Sequence, residues 1–190
     1  MRVIQVHDAD QREACLARLC AEAFGDNAGL TPLLRFAGVT AVLFEQQAAR
    51  VFALADDDGR PLALALLVLD KDNQGMTPVL MGDLDAANGE SPAMRLLGEL
   101  ARRAPLCMEA GDAAEQTRLE SAGITRWFDD SRGRRIGLNA RHPATTREEI
   151  APVLGVDDAA VAQNLKQNRP LFDDYKQRFI NGLAAFPATL

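Results

Sequence analysis

Residues 51–138 decide the fold, and they read VFALADDDGRPLALALLVLDKDNQGMTPVLMGDLDAANGESPAMRLLGELARRAPLCMEAGDAAEQTRLESAGITRWFDDSRGRRIGL. Two apolar runs, 51–55 and 61–69, flank an Asp-Gly pair, which predicts a β-hairpin. A strand at 79–84 precedes a helix, and a strand at 106–109 precedes a second helix that ends at Gly123. A further hairpin over 126–138 completes an α/β stretch.

The flanking segments extend this pattern in both directions. Residues 2–6 predict a strand, and Asp8 or Asp10 can cap the helix that follows. Thr31-Pro32 predicts the start of a helix through residue 49, with a strand at 39–44 as the alternative. From His142-Pro143 onwards we expect helices at 146–154, 157–167 and 170–186. A boundary near residue 140 therefore divides the chain into 1–140 and a C-terminal extension, 141–190.

The composition indicates which binding partners, which location and which metal sites can be expected of the protein. Among 190 residues, 27 acidic side chains outnumber 21 basic ones, and a net charge of −6 argues against binding to nucleic acid or to an anionic membrane. The longest apolar run, 62–69, is too short to span a bilayer. Three cysteines, odd in number and in apolar contexts, predict reduced thiols and a cytoplasmic location. No spacing of Cys and His predicts a metal site.

The order of elements over residues 1–138, βααβββαβα followed by a hairpin, resembles the GCN5-related N-acetyltransferase (GNAT) superfamily. This resemblance implies a fold of the α/β (α+β) class, with a central mixed, mostly antiparallel sheet flanked by helices. It also implies acetyl-CoA, or another acyl-CoA, as co-substrate. The expected reaction is acetyl transfer to an amine of a small molecule or a protein, by direct attack on the thioester.

The family's pyrophosphate loop, Arg/Gln-x-x-Gly-x-Gly/Ala, falls shortly before a Leu-Leu pair, here at 96–97. Its three fixed positions correspond to Asn88, Ser91 and Ala93, of which Ala93 matches. Ser91 suits an N-cap and Pro92 suits the first helical position. Because proline lacks an N–H, we expect the cofactor to bind about 10- to 100-fold more weakly than to a complete loop. A capped helix that binds no ligand is the alternative.

The resemblance implies that residues at the junction between the strand at 79–84 and the following helix bind the cofactor. The backbone N–H groups near Leu84 and Asp85 would polarise the thioester carbonyl. The predicted cofactor-binding residues are Leu84, Asp85, Asn88, Gly89, Glu90, Ser91 and Ala93.

The family's second motif, Tyr-x-x-x-Gly-Phe, corresponds to residues 119–124, where Leu119 replaces the Tyr that can donate a proton to the leaving thiolate. A carboxylate that deprotonates the amine would still allow direct transfer. The predicted catalytic bases are Asp83, near the end of one strand, and Glu109, at the end of the next. Exposed acids at the ends of strands, with no catalytic role, are the alternative. Cys107 is predicted to be a buried thiol.

Two other classes of function stay open. One is a catalytically inactive protein of the same fold that serves as a sensor or interaction module. The other is a DNA-binding regulator, because residues 146–169 mimic the spacing of a helix-turn-helix, although the acids at 157–158 would meet phosphates. An apolar stripe over 172–186 predicts a helix that docks on the core, with a homodimer seam as the alternative.

Overall fold

The computed structural model describes residues 1–25, 27–84, 91–130 and 133–190. Its strands are Arg2–Gln5 (β1), Ala49–Ala55 (β2), Pro61–Leu69 (β3), Met76–Asp83 (β4), Cys107–Ala110 (β5), Ile124–Asp129 (β6) and Arg135–Asn139 (β7). Its helices are Ala9–Phe24 (α1), Thr31–Gly38 (α2), Pro92–Ala101 (α3), Ala113–Ser121 (α4), Asp158–Gln167 (α5) and Arg169–Ala184 (α6). The predicted order of elements over residues 1–138 is confirmed. None of the helices in the described ranges is long and apolar enough to cross a membrane.

The segment after α2 continues as a π-helical turn, Val39–Phe44, so the predicted helix is confirmed there and the alternative strand is wrong. The start of β4 also differs from the prediction. The strand begins at Met76, three residues before the predicted start, because Met76–Pro78 pair with residues 67–69 of β3.

The strands form two antiparallel sheets that meet at one point. One sheet has the order β1-β2-β3-β4, and the other has the order β5-β7-β6. β4 and β5 run parallel and touch through a bridge between Met76 and Leu106. There the Met76 N–H donates to the carbonyl oxygen of Pro105 at 3.0 Å. Beyond that bridge the described residues show no further ladder between the two strands, so a gap opens between them.

β3 is buried on both faces, which explains its continuous apolar sequence. Leu64, Leu66 and Val68 belong to the core cluster that contains α1 and α2. Ala65 and Leu67 belong to the cluster that contains α3 and Leu119 of α4. Because successive side chains of a strand point to opposite faces, helices α1, α2 and α6 cover one face of the sheet, and α3 and α4 cover the other.

The C-terminal helix α6 packs along α1. The ring of Phe179 meets the ring of Phe36 edge-on, with centroids 5.3 Å apart. Arg178 donates to both carboxylate oxygens of Glu13 at 2.9 Å. The predicted docking of the apolar stripe on the core is thus confirmed, since all of its residues pack against the first core cluster: Phe172, Tyr175, Phe179, Leu183 and Phe186.

Gly182 marks a close approach between α6 and α1. A Cβ at this position would lie 3.0 Å from the Cβ of Ala17, whereas a Cβ at Gly98 of α3 would have 3.8 Å to its nearest neighbour. Replacing a helical glycine by alanine gains roughly 0.5–1 kcal/mol where space allows. We expect Gly98→Ala to gain that stability and Gly182→Ala to lose it, because overpacking costs about 1–3 kcal/mol. Urea midpoints of the two variants measure the difference, and an equal gain in both would contradict a tight α1–α6 contact.

The predicted helix at 146–154 is wrong. These residues form a loop in which the Glu149 carboxylate accepts from the backbone N–H groups of Thr145 and Thr146, at 2.6 and 3.3 Å. Val153 pairs with Asp70 in an isolated antiparallel bridge. These bonds satisfy the backbone without a helical ladder. The helix-turn-helix hypothesis fails with the helix, because that motif needs two consecutive helices.

Candidate functional site

A cleft of about 790 Å³ occupies the gap between β4 and β5. Arg147 and residues 150–153 of the C-terminal loop form its third wall, and the β6–β7 hairpin contributes residues at its edge. We call this space the splay cleft. Its volume lies within the range of small-molecule sites, and its lining mixes apolar side chains with acids and arginines.

A second space, the helix groove, lies on the opposite side of the same gap. It has a volume of about 280 Å³ and lies between β4, α3 and α4. Its lining is mostly apolar: Met81, Met94, Leu97, Met108 and Leu119. The helix groove and the splay cleft share the lining residues Pro78, Val79, Met108 and Glu115, so the two spaces meet between the strands.

A β-bulge in β4 lies where the two spaces meet. Leu66 of β3 pairs with Leu80 and Leu67 pairs with Pro78, which leaves Val79 without a partner in the register. Val79 is 37% exposed, although it is an apolar strand residue. Since a bulge re-aims backbone groups and often lies beside an active site, the surroundings of Val79 are the centre of the candidate site. Pro78 is the signal in the sequence, because proline within a strand indicates an edge or a bulge.

Glu109 lies on the splay-cleft side of β5. It pairs with Ile136 of β7 in the register, and Arg134 donates to its carboxylate at 2.6 Å. Met108, the residue before it, packs in the core cluster on the α3 side. The alternation of side chains therefore places the Glu109 carboxylate in the cleft, whereas Met108 lines both the helix groove and the cleft.

Cys107 shares the cleft side of β5 with Glu109, but it is not poised as a nucleophile. Burial and, to a smaller degree, the nearby charge of Glu109 raise the pKa of the Cys107 thiol to about 11. At neutral pH the side chain is therefore a thiol and not the reactive thiolate.

Asp83 has a different environment from Glu109. Its carboxylate accepts from the Ser91 hydroxyl at 2.8 and 3.1 Å and from the Ala93 N–H at 2.6 Å. The Ser91 oxygen in turn accepts from the Met94 N–H at 3.3 Å, as an N-cap does. The start of α3, which favours anions, is thus bonded to a carboxylate of the chain itself.

The structure separates the two predicted bases. Glu109 lines the splay cleft, whereas Asp83 lies at the start of α3 and does not line the cleft. The Leu84 N–H, predicted to polarise a thioester, donates to the Leu62 carbonyl oxygen at 2.8 Å. The other predicted cofactor-binding residues, Asp85, Asn88, Gly89 and Glu90, lie outside the described residues. The roles assigned to all these residues stay predictions.

Arginines lie along the outer side of the helix groove. Arg118 lines the groove itself. A neighbouring space of about 370 Å³ between α3 and α4 is lined by Arg95 and Arg102, and it shares Met94 with the helix groove. Arg95 and Arg102 therefore lie in a space that shares no lining residue with the splay cleft, and Arg102 pairs there with Glu99 at 2.6 Å. Helical spacing in the sequence places Arg95 and Arg102 opposite the apolar face of α3 and gives no sign of a space between α3 and α4.

His142 begins the loop that forms the third wall of the splay cleft, and it is buried. Its Nδ1 accepts from the Ala144 N–H at 3.2 Å, and its Nε2 has no partner among the described residues. Gly75 leaves room for the ring, because a Cβ there would lie 2.5 Å from Nε2. Burial lowers the pKa of His142 below 6.5, and the charge of Asp70 partly opposes this effect.

The lowered pKa of His142 predicts a dependence of stability on pH. An unfolded chain binds the proton near pH 6.5 and the folded chain binds it only at lower pH, so the free energy of unfolding should fall as pH drops below about 6.5. In His142→Gln, which keeps a neutral side chain, we expect this part of the loss to disappear. Urea titrations between about pH 7.5 and 5.5 measure it. The same slope in the variant would show that other groups carry the dependence.

No protein-family model matches the chain, and no curated protein matches it. Solved structures of acetyltransferases are similar to it in backbone. An aminoglycoside 6'-acetyltransferase type Ii has a TM-score of 0.50 at 12% identity, over 77% of this chain and 100% of that chain. A structure of histone acetyltransferase HPA2 and related acetyltransferase from Corynebacterium glutamicum has a TM-score of 0.49 at 15% identity, over 76% and 98% of the two chains.

At such low identity these likenesses concern the fold and not the reaction. The aminoglycoside acetyltransferase is matched along its whole length. The element order, the antiparallel sheets and the parallel neighbours β4 and β5 that separate beyond one bridge agree with the resemblance in the sequence. The chain therefore has the fold of the GCN5-related N-acetyltransferases.

Proposed function

We propose that the protein is an acyl-CoA-dependent N-acyltransferase that binds its amine acceptor in the splay cleft. The observation that carries this proposal is the meeting of the helix groove and the splay cleft at the bulge, with Val79 in both linings and Glu109 on the cleft side only. Two substrates that bind on opposite sides of the gap between β4 and β5 need an opening between these strands in order to react.

The residues present fit an acyl-CoA over most of this path. The apolar lining of the helix groove suits the pantetheine arm, and Arg95, Arg102 and Arg118 suit the phosphates. The start of α3 does not fit a pyrophosphate group, because the Asp83 carboxylate already accepts from the Ala93 N–H. We infer that the arginines, and not this helix end, would supply most of the charge that holds the phosphates.

When bound, acyl-CoA supplies a thioester: the amine nitrogen forms a bond to the acyl carbon, the C–S bond breaks, and CoA leaves as the thiol. We infer that Glu109, which lines the cleft, takes a proton from the ammonium form of the acceptor and passes it to solvent. Arg134, which donates to Glu109, holds that carboxylate in place. Leu119 is buried and cannot donate a proton, so the leaving sulfur takes its proton from the attacking amine or from water.

A catalytically inactive sensor of the same fold is the second candidate. The bonding of Asp83 at the start of α3 favours it, because a carboxylate there repels the pyrophosphate of CoA. The two candidates differ in what they expect of acetyl-CoA. An acyltransferase binds it and releases free thiol in the presence of an amine, whereas a sensor of another ligand does neither.

Calorimetric titration with acetyl-CoA tests the proposal. We expect binding that Arg118→Glu weakens about 10-fold or more, since a charge-assisted hydrogen bond contributes about 1.5–3 kcal/mol. Acetyl-pantetheine, which lacks the nucleotide, should not respond to this variant. Arg103→Glu is the matched control, because Arg103 lies just after the end of α3, pairs with Glu99 and lines none of the three spaces. No binding of acetyl-CoA at millimolar concentration would exclude the acyltransferase.

A further inference from the structure

Arg147 is a cation in the splay cleft whose guanidinium has little to bind. It contacts the Asp130 carboxylate at 3.7 Å, which is an ion pair but too long for a hydrogen bond. Within the described residues no hydrogen bond from its guanidinium is found. Its side chain is 38% exposed and lines the cleft. A planar guanidinium with free donors is suited to a two-pronged contact with a carboxylate.

The loop that carries Arg147 is held at both ends. On its N-terminal side, Thr145 and Thr146 donate hydrogen bonds to the carboxylate of Glu149. After it, Ile150 is buried, and the Leu154 N–H donates to the Leu69 carbonyl oxygen at 2.9 Å. The cation is therefore presented by a fixed wall, which lowers the entropy cost of binding a ligand there.

The cleft also offers a negative group and apolar surface. Glu109 and Arg147 both line it, and the chain Glu109–Arg134–Asp130–Arg147 links them through alternating charges. Val79 and Val153 are each 37% exposed, although both are apolar, and both line the same cleft. An occupant that satisfies all these groups has a cation, a carboxylate and an apolar body.

We propose that the splay cleft binds an amino acid with an apolar side chain, with its carboxylate on Arg147, its ammonium towards Glu109 and its side chain against Val79 and Val153. The identification of this ligand as an acceptor rests on the proposed function. The binding itself does not, because it requires only the residues of the cleft.

The test compares three ligands of similar size: L-leucine, isopentylamine, which lacks the carboxylate, and isocaproate, which lacks the amine. Each is titrated into the full chain without an acyl donor and followed by NMR or calorimetry. We expect leucine to bind more tightly than either analogue. Arg147→Met should weaken leucine about 10- to 100-fold and leave isopentylamine unchanged, because one charge-assisted contact is lost. The affinity of Arg147→Lys for leucine should lie between those of the wild type and of Arg147→Met, because lysine keeps the charge but lacks the planar guanidinium.

Each outcome decides the matter. Any of four results would overturn the inference. They are equal affinity for leucine and isopentylamine, an equal effect of Arg147→Met on both, binding of isocaproate as tight as that of leucine, and no binding of leucine. Circular dichroism of both Arg147 variants shows that they are folded. Thiol release from acetyl-CoA separates this inference from the proposed function. If leucine binds through Arg147 but is not acetylated, the proposed function fails and the ligand class stands. If leucine does not bind and only amines without a carboxylate are acetylated, the ligand class fails and the proposed function stands.

Discussion

Replacing Glu109 by glutamine should reduce the turnover of amine acetylation about 10²- to 10⁴-fold, which is the usual contribution of general acid–base catalysis. Glutamine has nearly the same shape as glutamate but cannot take a proton from an ammonium group. Glu109 lies on the cleft side of β5, half exposed and held by Arg134 at 2.6 Å. The affinity for acetyl-CoA should change little, because the Glu109 side chain does not line the helix groove. Steady-state release of CoA thiol and calorimetric titration measure the two quantities.

The matched control for this prediction is Glu148→Gln. Glu148 is exposed on the loop that walls the splay cleft, but it is not part of the cleft lining. The substitution Glu148→Gln removes the same charge from the same region as Glu109→Gln, so a general electrostatic effect on the acceptor would appear in both variants. Only a loss confined to Glu109→Gln indicates a base. If turnover in Glu109→Gln equals that of the wild type, Glu109 has no part in proton transfer.

The fold could be predicted from the sequence because its determinants are local. The hairpin turn between residues 56 and 60, the cap of α3 at Ser91 and the apolar spacing of 96–100 each depend on neighbours in the chain, and the structure contains all three. The loop at 146–154 was mispredicted for the opposite reason. Its apolar residues are spaced as in a helix, but the pairing of Val153 with Asp70, more than 80 residues away, determines its structure. Such contacts leave no local pattern.

The candidate site was partly predictable for similar reasons. Alternation along β5 was sufficient to place Cys107 and Glu109 on one side of the strand. Two features could not be read from periodicity. The role of Arg147 depends on a loop that crosses the open gap between sheets, and the bonding of Asp83 depends on how β4 approaches the start of α3. Both arise from the tertiary fold, so the sequence predicted Asp83 as a base but neither its bonding to the start of α3 nor the place of Arg147 in the cleft.

Replacing Asp83 by alanine should affect stability and cofactor binding in opposite directions. The variant loses an acceptor at the start of α3, so the free energy of unfolding should fall by about 1–2 kcal/mol. It also releases the Ala93 N–H and the Ser91 hydroxyl and removes a negative charge from the start of α3, which would then be free to bind an anion such as the pyrophosphate. The dissociation constant for acetyl-CoA should therefore fall about 10- to 100-fold. Urea unfolding and calorimetric titration of the same samples measure the two effects.

Asp157→Ala is the matched control, because Asp157 caps α5 by accepting from the Ala160 N–H at 3.0 Å and lies away from both spaces. It should lose a similar amount of stability and leave the affinity for acetyl-CoA unchanged. Turnover at saturating cofactor tests the prediction of Asp83 as a base: a 10²-fold loss would support that role, and an unchanged rate would assign proton transfer to Glu109 alone. If Asp83→Ala lowers stability without tightening acetyl-CoA, the start of α3 does not receive the pyrophosphate. The phosphates would then depend on the arginines of α3 and α4, which the Arg118→Glu titration tests independently.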